Sequence, residues 1–456
     1  MTPRYDAVVA GAGLAGLTAA VTLAEHDLDV LLLEKQAEVG GSTVMSGGWF
    51  AWSDTEDQHR LGIADSDAIF LEDLRRTGGG HADESLLHAY VELQREADHW
   101  SRSRLDTTYD VVKLSAGQSV PRSHHADIRP MMGRLLDLAA ASPRVHLQTD
   151  TAVTRLERND AGTVAGVEAN GPSGRTRHDG LAGVVLATGG FSRSRDLLTL
   201  FAPAQLAAIP HGGLGSTGDG LRLGWRLGAD LRDVGWVSGT FGSHPDTTDD
   251  EHELLTAFYL GAIIVNRDGQ RFVDESLTYK EIGQACLGQP GGLGFEVFDQ
   301  RVRDRSQPGV PLSDIGYLQD KGHVLQAPTL AALAQEVGIE PDGLAGTVAR
   351  YNAAIGSRED DQGRDSLCNG VGALDPIDVA PFYGYPARTL MTSTYGGLRV
   401  TPSTEVLDVD GEVIAGLHAV GEVSGGFHGA SYLTGTALGK ALVFGRRAAH
   451  QIATAP

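Results

Sequence analysis

The chain of 456 residues contains only two cysteines, Cys286 and Cys368, and neither belongs to a CxxC or CxxCH pattern. Two cysteines cannot form a disulfide framework. The absence of CxxC and CxxCH motifs also argues against an attached haem, an iron–sulfur cluster and a structural zinc site. We therefore expect no bound metal.

Cationic residues are also scarce, because 59 Asp and Glu outnumber 37 Lys and Arg and give a formal net charge of −22. This balance repels phosphate backbones and anionic membrane surfaces, so we expect no nucleic-acid partner and interpret the charge as favouring solubility. No apolar run approaches the roughly 18 residues needed to span a bilayer. No charged leader precedes the first predicted strand. We expect a cytoplasmic protein without a membrane span.

The N-terminal residues have the pattern of a βαβ unit. Residues 5–10 (YDAVVA) predict a buried parallel strand, LTAAVTLAEHD has apolar residues at helical spacing, and LDVLLLE predicts a second strand that ends at Glu34. Between the first strand and the helix lies GAGLAG, a GxGxxG turn made of Gly11, Ala12, Gly13, Leu14, Ala15 and Gly16.

Each part of this turn has a physical role in binding a dinucleotide. The first glycine permits the tight turn, the second lets the backbone approach a pyrophosphate, and the third allows close packing of helix and strand. The helix N-terminus supplies partial positive charge. The carboxylate of Glu34 can accept hydrogen bonds from both ribose hydroxyls. The unit predicts NAD or FAD, and the segments that follow favour FAD.

The remaining pattern predicts a fold in two parts. Helical spacing recurs at 65–103, at 130–141 and in GLRLGWRLGAD, and strands flank an NDAG turn. The next section contains the strand-like GAIIVNRDGQRFVDE and two helices, and a strand and a long helix close the chain. We predict an α/β protein with a discontinuous Rossmann-like domain at 1–236 and 393–456, interrupted by an α+β capping or substrate domain at 237–392.

Five segments carry a family resemblance: GGSTVMSGGW, LATGGF, GSTGDGL, GAIIVNRDGQRFVDE and AVGEVSGGFHGASYLTGTALGKALVFGRRAA. Together, and in this order, they resemble the flavoprotein family of fumarate reductases, succinate dehydrogenases and 3-ketosteroid dehydrogenases. The resemblance implies an FAD domain interrupted by a capping domain. Succinate dehydrogenases attach FAD through a histidine in the stretch that follows the first glycine pair of this segment. The matching stretch here, STVMSGG, contains no histidine. We therefore expect non-covalent FAD.

Matching segments also imply which residues line FAD. Glu422 should hold the ribityl chain, and the helix that starts at Thr436 should meet the pyrimidine end of the ring, where its N-terminus stabilises an anionic reduced flavin. The residues implied to contact the cofactor besides the GxGxxG turn and Glu34 are Lys35, Gly41, Ser42, Gly47, Gly48, Ala152, Val153, Ala187, Thr188, Gly189, Asp219, Glu422, Thr436, Ala437 and Leu438.

Departures from the fumarate reductase pattern point to a different substrate. Tyr279 and Tyr432 stand where that family has a proton-donating and a substrate-binding arginine. Thr392 and Ser393 replace a histidine pair, and Leu255 and Phe258 replace a charged proton relay. Because a dicarboxylate needs several cations, these losses argue against fumarate. Tyrosines at the first two positions resemble the 3-ketosteroid dehydrogenases.

The chemistry implied by that branch is α,β-dehydrogenation of a ketone. A tyrosine hydroxyl donates well to a carbonyl that is becoming an enolate, which is the role expected for Tyr432, helped by a backbone N–H near Thr436. Tyr279 can be the base only if its pKa falls well below the usual value of about 10. The Thr434 hydroxyl could relay a proton. We expect a 3-ketosteroid or a smaller cyclohexanone-type ring such as an oxocyclohexanecarboxylate as substrate.

Two other functions stay open at this point. The first is a fumarate reductase-like reductase of an activated alkene or unsaturated acid, and the second is a regulatory protein that only binds flavin. A dehydrogenase also needs an electron acceptor, either oxygen or a quinone-like molecule. The sequence favours neither acceptor.

Several further side chains have open roles. Aromatic residues lie just after the segment STVMSGG and near the start of the capping domain. They could contact an apolar ring substrate, or they could simply pack in the hydrophobic core. Arg122, His124 and His125 could bind a substrate carboxylate or cover the surface, and His244 we interpret as a loop histidine. The aromatic residues in question are Trp49, Phe50, Trp52, Trp236, Phe241 and Phe258.

Overall fold

A computed structural model of the chain describes residues 4–109, 111–248, 253–310, 312–357, 359–368 and 370–455. In chain order the strands are β1 (Arg4–Ala10), β2 (Val30–Leu33), β3 (Trp49–Ala51), β4 (Val111–Lys113), β5 (Ser123–His125), β6 (Val145–Gln148), β7 (Ala152–Arg158), β8 (Val164–Gly171), β9 (Gly174–Leu186), β10 (Ile209–Pro210), β11 (Leu231–Arg232), β12 (Val237–Ser243), β13 (Ile263–Val265), β14 (Leu293–Asp299), β15 (Leu325–Ala327), β16 (Phe382–Thr394), β17 (Gly397–Leu398), β18 (Glu405–Leu407) and β19 (Val413–Ala419). The helices are α1 (Leu14–Glu25), α2 (Glu56–Arg60), α3 (Asp67–Thr77), α4 (Glu84–Arg104), α5 (Ile128–Ala141), α6 (Arg195–Phe201), α7 (Asp219–Trp225), α8 (Tyr279–Leu287), α9 (Gln300–Asp304), α10 (Ile315–Asp320), α11 (Leu330–Val337), α12 (Pro341–Ala354) and α13 (Thr436–Thr454).

The chain divides into two compact units. Unit 1 comprises Met1–Ala202, Gly212–Ser238 and Ser393–Pro456, and unit 2 comprises Pro203–His211 and Gly239–Thr392. The short segment Pro203–His211 lies inside the range that the sequence pattern assigned to the first domain. It belongs to unit 2 because β10 pairs in parallel with β16.

Unit 1 is built on a mixed sheet with the strand order β18-β19-β9-β1-β2-β6, in which β18 is antiparallel to β19 and the other strands of this order are parallel. β1 pairs in parallel with β2 and β9, which confirms the predicted βαβ unit. β9 pairs in parallel with β19, and β2 pairs in parallel with β6. The NDAG segment turns between the antiparallel strands β7 and β8, where the Asn159 side chain accepts the amides of Ala161 and Thr163 at 3.0 Å.

The carboxyl ends of these parallel strands bring the sequence motifs together. Gly11 follows β1, Glu34 follows β2, Ala187 follows β9, and the turn that holds Glu422 follows β19. Because parallel strands end at the same edge of a sheet, four segments separated by up to hundreds of residues meet there. This edge is the place where open α/β sheets bind ligands.

A small antiparallel sheet β3-β5-β4 forms the other part of unit 1 that matters for the site. Trp49 pairs with His125 across β3 and β5. The amide of Ala51 in β3 donates to the carbonyl oxygen of Gly435 at 3.1 Å, which fixes the start of α13 against β3. A Cβ at Gly435 would overlap this strand, so no other residue fits there.

Unit 2 contains a sheet with the order β10-β16-β14-β13, in which β12 and β15 also pair with β16. One apolar cluster includes Phe241, Leu255 and Phe258, all fully buried, with Tyr279 of α8 packed against it. Another cluster joins β13 and β14 to α11 and α12. The α/β fold class with an inserted α+β unit is confirmed.

Two predicted elements are shorter than expected. The helix over GLRLGWRLGAD ends at Trp225, because Gly228 takes a left-handed φ of 87° and leads into β11. GAIIVNRDGQRFVDE is a strand only over Ile263–Val265. In the described part of the chain, no helix is long and apolar enough to cross a membrane.

Two buried histidines of unit 1 predict how stability depends on pH. Burial lowers the pKa of His124 and of His418 to about 4. The unfolded chain, with a histidine pKa of about 6.5, therefore binds more protons than the folded chain between these values, and stability falls as the pH drops through this window. We expect the free energy of unfolding to decrease by roughly 1–2 kcal/mol per histidine between pH 7 and pH 5.

Denaturant titrations across this pH range measure the effect. His418→Asn should flatten the slope between pH 7 and pH 5, whereas the matched variant His99→Asn alters an exposed side chain and should keep it. A slope that His418→Asn leaves unchanged would contradict this assignment.

Candidate active site

The GxGxxG turn has a geometry that only glycine permits. Gly11 takes a φ of 103°, and a Cβ there would overlap the carbonyl oxygen of Ala187. A Cβ at Gly16 would overlap the carbonyl oxygen of Gly11. Strand β1, the turn and α1 therefore lie in close contact with the end of β9, as a dinucleotide turn requires.

Glu34 is held at this turn by backbone amides. Its Oε2 accepts from the amide of Ala12 at 2.8 Å, and its Oε1 accepts from the amide of Gln36 at 2.8 Å. Its carbonyl oxygen accepts from the amide of Thr151, next to Ala152 at the predicted adenine side. Each carboxylate oxygen has a second lone pair, so the side chain can still accept ribose hydroxyls.

The loop after β2 joins the turn to a distant segment. Lys35 Nζ donates to Asp219 Oδ2 at 2.6 Å, so two residues that were each assigned to the cofactor form an ion pair with each other. Ser42 Oγ accepts from the amide of Gly213 at 2.9 Å. Thr43 Oγ1 accepts from the amide of Leu14, the first residue of α1, at 3.2 Å.

The starts of α1, α6, α7 and α13 lack the side-chain caps that α3, α4 and α5 have, and of these four α1 and α13 also lack an acidic residue in the first turn. The N-caps of α3, α4 and α5 are Ser66, Asp83 and Asp127, and each side chain accepts a backbone amide. The N-caps of α1 and α13 are Gly13 and Gly435, with no side-chain cap and no acidic residue in the first turn. Buried helix starts of this kind need a partner for their amides and favour an anion. The two helices assigned to the cofactor thus fit FAD, which carries a pyrophosphate and an electron-poor ring.

Unpartnered hydroxyls support the same fit. The buried Thr188 Oγ1, just after β9, has no hydrogen-bond partner among the described residues. The Thr434 Oγ1, just before α13, is likewise buried and unpartnered within the described part of the chain. Because buried hydroxyls normally find partners, both atoms fit positions beside a bound ligand.

Glu422 lies in the turn after β19 and is half-buried. Its Oε1 accepts from the amide of Thr394 at 2.8 Å and from the Thr394 hydroxyl at 3.2 Å. A Cβ at Gly190 would overlap both side chains, so glycine lets this carboxylate approach the end of β9. Desolvation raises the pKa of Glu422, and the hydrogen bonds from Thr394 together with the Lys440 charge oppose that rise.

Tyr432 is fixed by the start of α13. Its hydroxyl oxygen accepts from the amide of Gly435 at 2.9 Å. Its ring lies nearly parallel to that of Tyr395, with 6.2 Å between centroids, and meets the edge of His428 at 5.5 Å. The amide of Thr436, expected to assist Tyr432, instead donates to the Leu433 carbonyl at 3.1 Å.

Tyr279 is the first residue of α8 in unit 2. Thr278 and Glu281 form a capping box that fixes this helix start. The Lys280 ammonium lies 6.0 Å from the Tyr279 ring centroid. The Tyr259 hydroxyl donates to the Leu277 carbonyl at 2.9 Å, in the segment that leads into α8. A helix N-terminus and a nearby ammonium both favour the phenolate form of a tyrosine.

Comparison with known proteins decides the family. Residues 6–438 match the family described as "FAD binding domain". The chain belongs to this family. The matched range covers nearly the whole chain, which confirms FAD as the cofactor and the predicted resemblance.

Three known proteins are similar to this chain, two in sequence and one in fold. The chain is 30% identical to urocanate reductase of Eggerthella lenta over 98% of this chain and 74% of that protein. It is 29% identical to a probable fumarate reductase of Shewanella frigidimarina over 96% of this chain and 73% of that protein. A 3-ketosteroid delta1-dehydrogenase of Sterolibacterium denitrificans has the same fold, with a TM-score of 0.86, 22% identity and coverage of 99% and 100%. The chain is an FAD-dependent oxidoreductase.

Two residues expected either to bind substrate or to cover the surface are instead fully buried and paired within the chain. Arg122 is fully buried, and its guanidinium pairs with Asp65 at 2.7 Å and Asp73 at 2.6 Å. His124 is also fully buried, with its ring nitrogens 2.8 Å from Thr55 Oγ1 and 2.9 Å from the Arg122 carbonyl oxygen. The carboxylates that absorb the charge of Arg122 lie far away in sequence, so its local motif was misleading.

His125 differs from its two neighbours. It is half-buried, and its ring lies 4.9 Å from that of Trp49. Its Nε2 lies beside the backbone of Gly48 in the flavin turn. Of the three residues in this motif, His125 is therefore the one next to Gly48, a residue that the resemblance assigned to the cofactor.

Most of the candidate aromatic residues belong to the core. Phe50, Trp52, Phe241 and Phe258 are almost completely buried, as the core interpretation predicted. His244 lies in the loop directly after β12, as predicted. Its ring is buried rather than exposed and lies 4.0 Å from that of His323, and burial lowers its pKa to about 4.

Sequence reasoning missed several residues that the fold adds to the site. Thr394 holds Glu422, while Tyr395 and His428 pack on Tyr432. Tyr395 directly precedes a glycine pair in MTSTYGG, and His428 lies between Phe427 and a glycine in SGGFHGAS. Such glycine-flanked aromatic residues could have indicated a site, although their mutual contact could not be read from the sequence.

Replacement of the third glycine tests the cofactor site. In Gly16→Ala the new methyl group would overlap the Gly11 carbonyl and push α1 away from the turn. We expect FAD affinity to fall by roughly 10- to 100-fold. Flavin fluorescence quenching with the apoprotein measures the dissociation constant. Gly133→Ala in α5 has open space at its Cβ and is the matched control, which should bind FAD normally.

Replacement of Arg122 separates a structural from a substrate role. Arg122→Met removes the arginine paired with the buried Asp65 and one of the two arginines paired with the buried Asp73, which keeps Arg76, so we expect a loss of roughly 3–5 kcal/mol in the free energy of unfolding. The exposed Arg129→Met should stay within about 0.5 kcal/mol. Urea titration measures both. A normal stability combined with a raised KM would instead assign Arg122 to the substrate.

Proposed function

We propose that this flavoprotein is a dehydrogenase that introduces a C=C bond α,β to the carbonyl of a cyclic ketone. The observation that carries this proposal is the Tyr432 hydroxyl, held by the Gly435 amide at the uncapped start of α13. The loop from His428 to Leu438 contains no arginine or lysine. A phenol supported by a helix start suits a ketone oxygen better than a dicarboxylate.

Two apolar positions in unit 2 support an uncharged substrate. Leu255 and Phe258 occupy the positions of a charged proton relay and are fully buried in an apolar cluster. A relay of charged side chains has no counterpart at these positions. We infer that proton transfer in this enzyme depends on another group.

In the proposed reaction, Tyr432 donates a hydrogen bond to the carbonyl oxygen and stabilises negative charge as the enolate develops. The Thr434 hydroxyl, buried close to this loop, assists as a relay. Because the Thr436 amide is engaged by Leu433, the assisting amide is that of Ala437, in the first turn of α13, where helix geometry leaves amides unpaired.

Tyr279 is the proposed base that removes the proton from the carbon next to the carbonyl. The N-terminus of α8 stabilises its phenolate, and Lys280, whose pKa burial lowers to about 7, adds to this stabilisation when it is protonated. When bound, FAD supplies the acceptor for the hydride that leaves the β-carbon. The balance is one proton to Tyr279 and one hydride to the cofactor, whose electrons then pass to oxygen or a quinone-like acceptor.

We propose that the enzyme holds FAD without a covalent bond, through the two glycine-capped helix starts and the carboxylates of Glu34 and Glu422. The ion pair of Lys35 and Asp219 would fix the loop between them. The remaining contacts are those implied by the family resemblance, at Ala12, Leu14, Ala15, Gly41, Ser42, Gly47, Gly48, Ala152, Val153, Ala187, Thr188, Gly189, Thr436 and Leu438.

A second candidate function is reduction of an activated alkene. The names of the relatives with higher identity, urocanate reductase and fumarate reductase, favour it. Both functions move one hydride between a C–C bond and FAD, so the substrates decide between them.

Anaerobic flavin spectroscopy discriminates the two functions. We expect saturated steroidal or monocyclic ketones to bleach the oxidised enzyme, because they donate a hydride. If no ketone bleaches the flavin and unsaturated acids reoxidise the chemically reduced enzyme, the reductase function replaces the proposal.

Removal of each tyrosine hydroxyl tests the roles. Tyr279→Phe should slow the bleaching step by roughly 10²–10⁴-fold, because the base is lost. Tyr432→Phe should slow it by roughly 10²–10³-fold, because enolate stabilisation is lost. Tyr317→Phe, in an exposed part of α10, is the matched control and should react normally. Retained rates in both site variants would refute the assignment.

A further inference from the structure

Lys440 is an unusual residue of α13, because its side chain is only 2% exposed. Lysine is almost never fully buried unless it is paired, since an ammonium loses its hydration on burial. No carboxylate of the described residues lies within ion-pair distance of it. Its Nζ donates to the carbonyl oxygen of Ser424 at 2.6 Å. The positive charge of the Lys440 ammonium must therefore be compensated by carboxylates that lie beyond ion-pair distance.

Two carboxylates supply that balance. The Lys440 charge interacts with Glu422 and with Asp233, and burial lowers the pKa of the ammonium to about 8. Asp233 accepts from the amide of Gly426 at 3.1 Å and faces Arg232 as well as Lys440. The charged group that acts on Glu422 is Lys440. The Lys440 charge therefore acts on the carboxylate of Glu422 at longer range than an ion pair.

The fold connects this cation directly to the turn that holds Glu422. Ser424, the acceptor of Lys440, follows the turn Gly421–Val423, and α13 packs against that turn. Lys440 lies one helical turn after Thr436 and therefore shares its face of α13. Glu422 needs such support, because it sits in a desolvated position where the neutral acid is otherwise favoured.

We propose that Lys440 is a positioning residue for FAD, whose buried ammonium keeps Glu422 ionised so that the carboxylate accepts hydrogen bonds from the hydroxylated ribityl chain. This inference rests on the proposed contact of Glu422 with the cofactor. An ionised carboxylate accepts hydrogen bonds at both oxygens, whereas the protonated acid must use one as a donor. Charge-assisted hydrogen bonds are about twice as strong as neutral ones.

The test measures FAD dissociation constants of the apoprotein by flavin fluorescence between pH 6 and pH 9.5. Lys440→Gln keeps an N–H donor for Ser424 and removes the charge, and Lys440→Met removes both. We expect each to weaken binding by roughly 10- to 100-fold at pH 7. The deficit should shrink as the pH rises, because Glu422 then ionises without help. Arg447→Met, which removes another cation of α13, is the matched control and should bind normally.

The variant Glu422→Gln separates the two levels of the proposal. We expect Glu422→Gln to weaken FAD binding at every pH. Adding Lys440→Gln to this variant should then change the FAD dissociation constant very little. If Glu422→Gln binds FAD normally, the assignment of Glu422 fails and the role of Lys440 falls with it. If Glu422→Gln weakens binding but the loss from Lys440→Gln is independent of pH and fully additive, only the role of Lys440 is overturned. Thermal melts identify any variant that does not fold. If Lys440→Met does not fold, the binding data of Lys440→Gln alone test the proposal.

Discussion

The close approach of three backbone segments is the constraint on which the candidate site depends. The carbonyl of Gly11, the first turn of α1 at Gly16 and the end of β9 at Ala187 occupy one small volume where no side chain fits. This contact aligns the start of α1 with the edge of the parallel sheet. Because β2 and β19 end at the same edge, Glu34 and Glu422 approach it from either side of β1 and β9. Every proposed cofactor contact in unit 1 follows from that alignment.

Local patterns predicted the parts of this arrangement whose physics is local. The βαβ unit, the glycine turn and Glu34 lie within one short stretch, where periodicity and residue type decide the structure. The family resemblance extended the prediction to Glu422 and to the start of α13. Tyr432 was also proposed from its motif, although the hydrogen bond from the Gly435 amide could not be predicted from the sequence.

Contacts between distant segments explain what the sequence could not predict. Nothing near Arg122 in the sequence indicates that Asp65 and Asp73 neutralise it. The same holds for the ion pair of Lys35 with Asp219 across more than a hundred residues. The segment Pro203–His211 joins unit 2 through β10, a pairing of only two residues that carries no pattern. Burial and partner choice are properties of the tertiary structure.

The glycine caps of α1 and α13 have a consequence for the stability and the amount of the protein in the cell. In the proposed binding mode FAD completes these two helix starts, and a ligand that binds only the folded state stabilises it by mass action. Apoprotein and holoprotein then differ in how often they open and expose themselves to proteolysis. The steady amount of this enzyme would accordingly follow the supply of flavin as well as the rate of its synthesis.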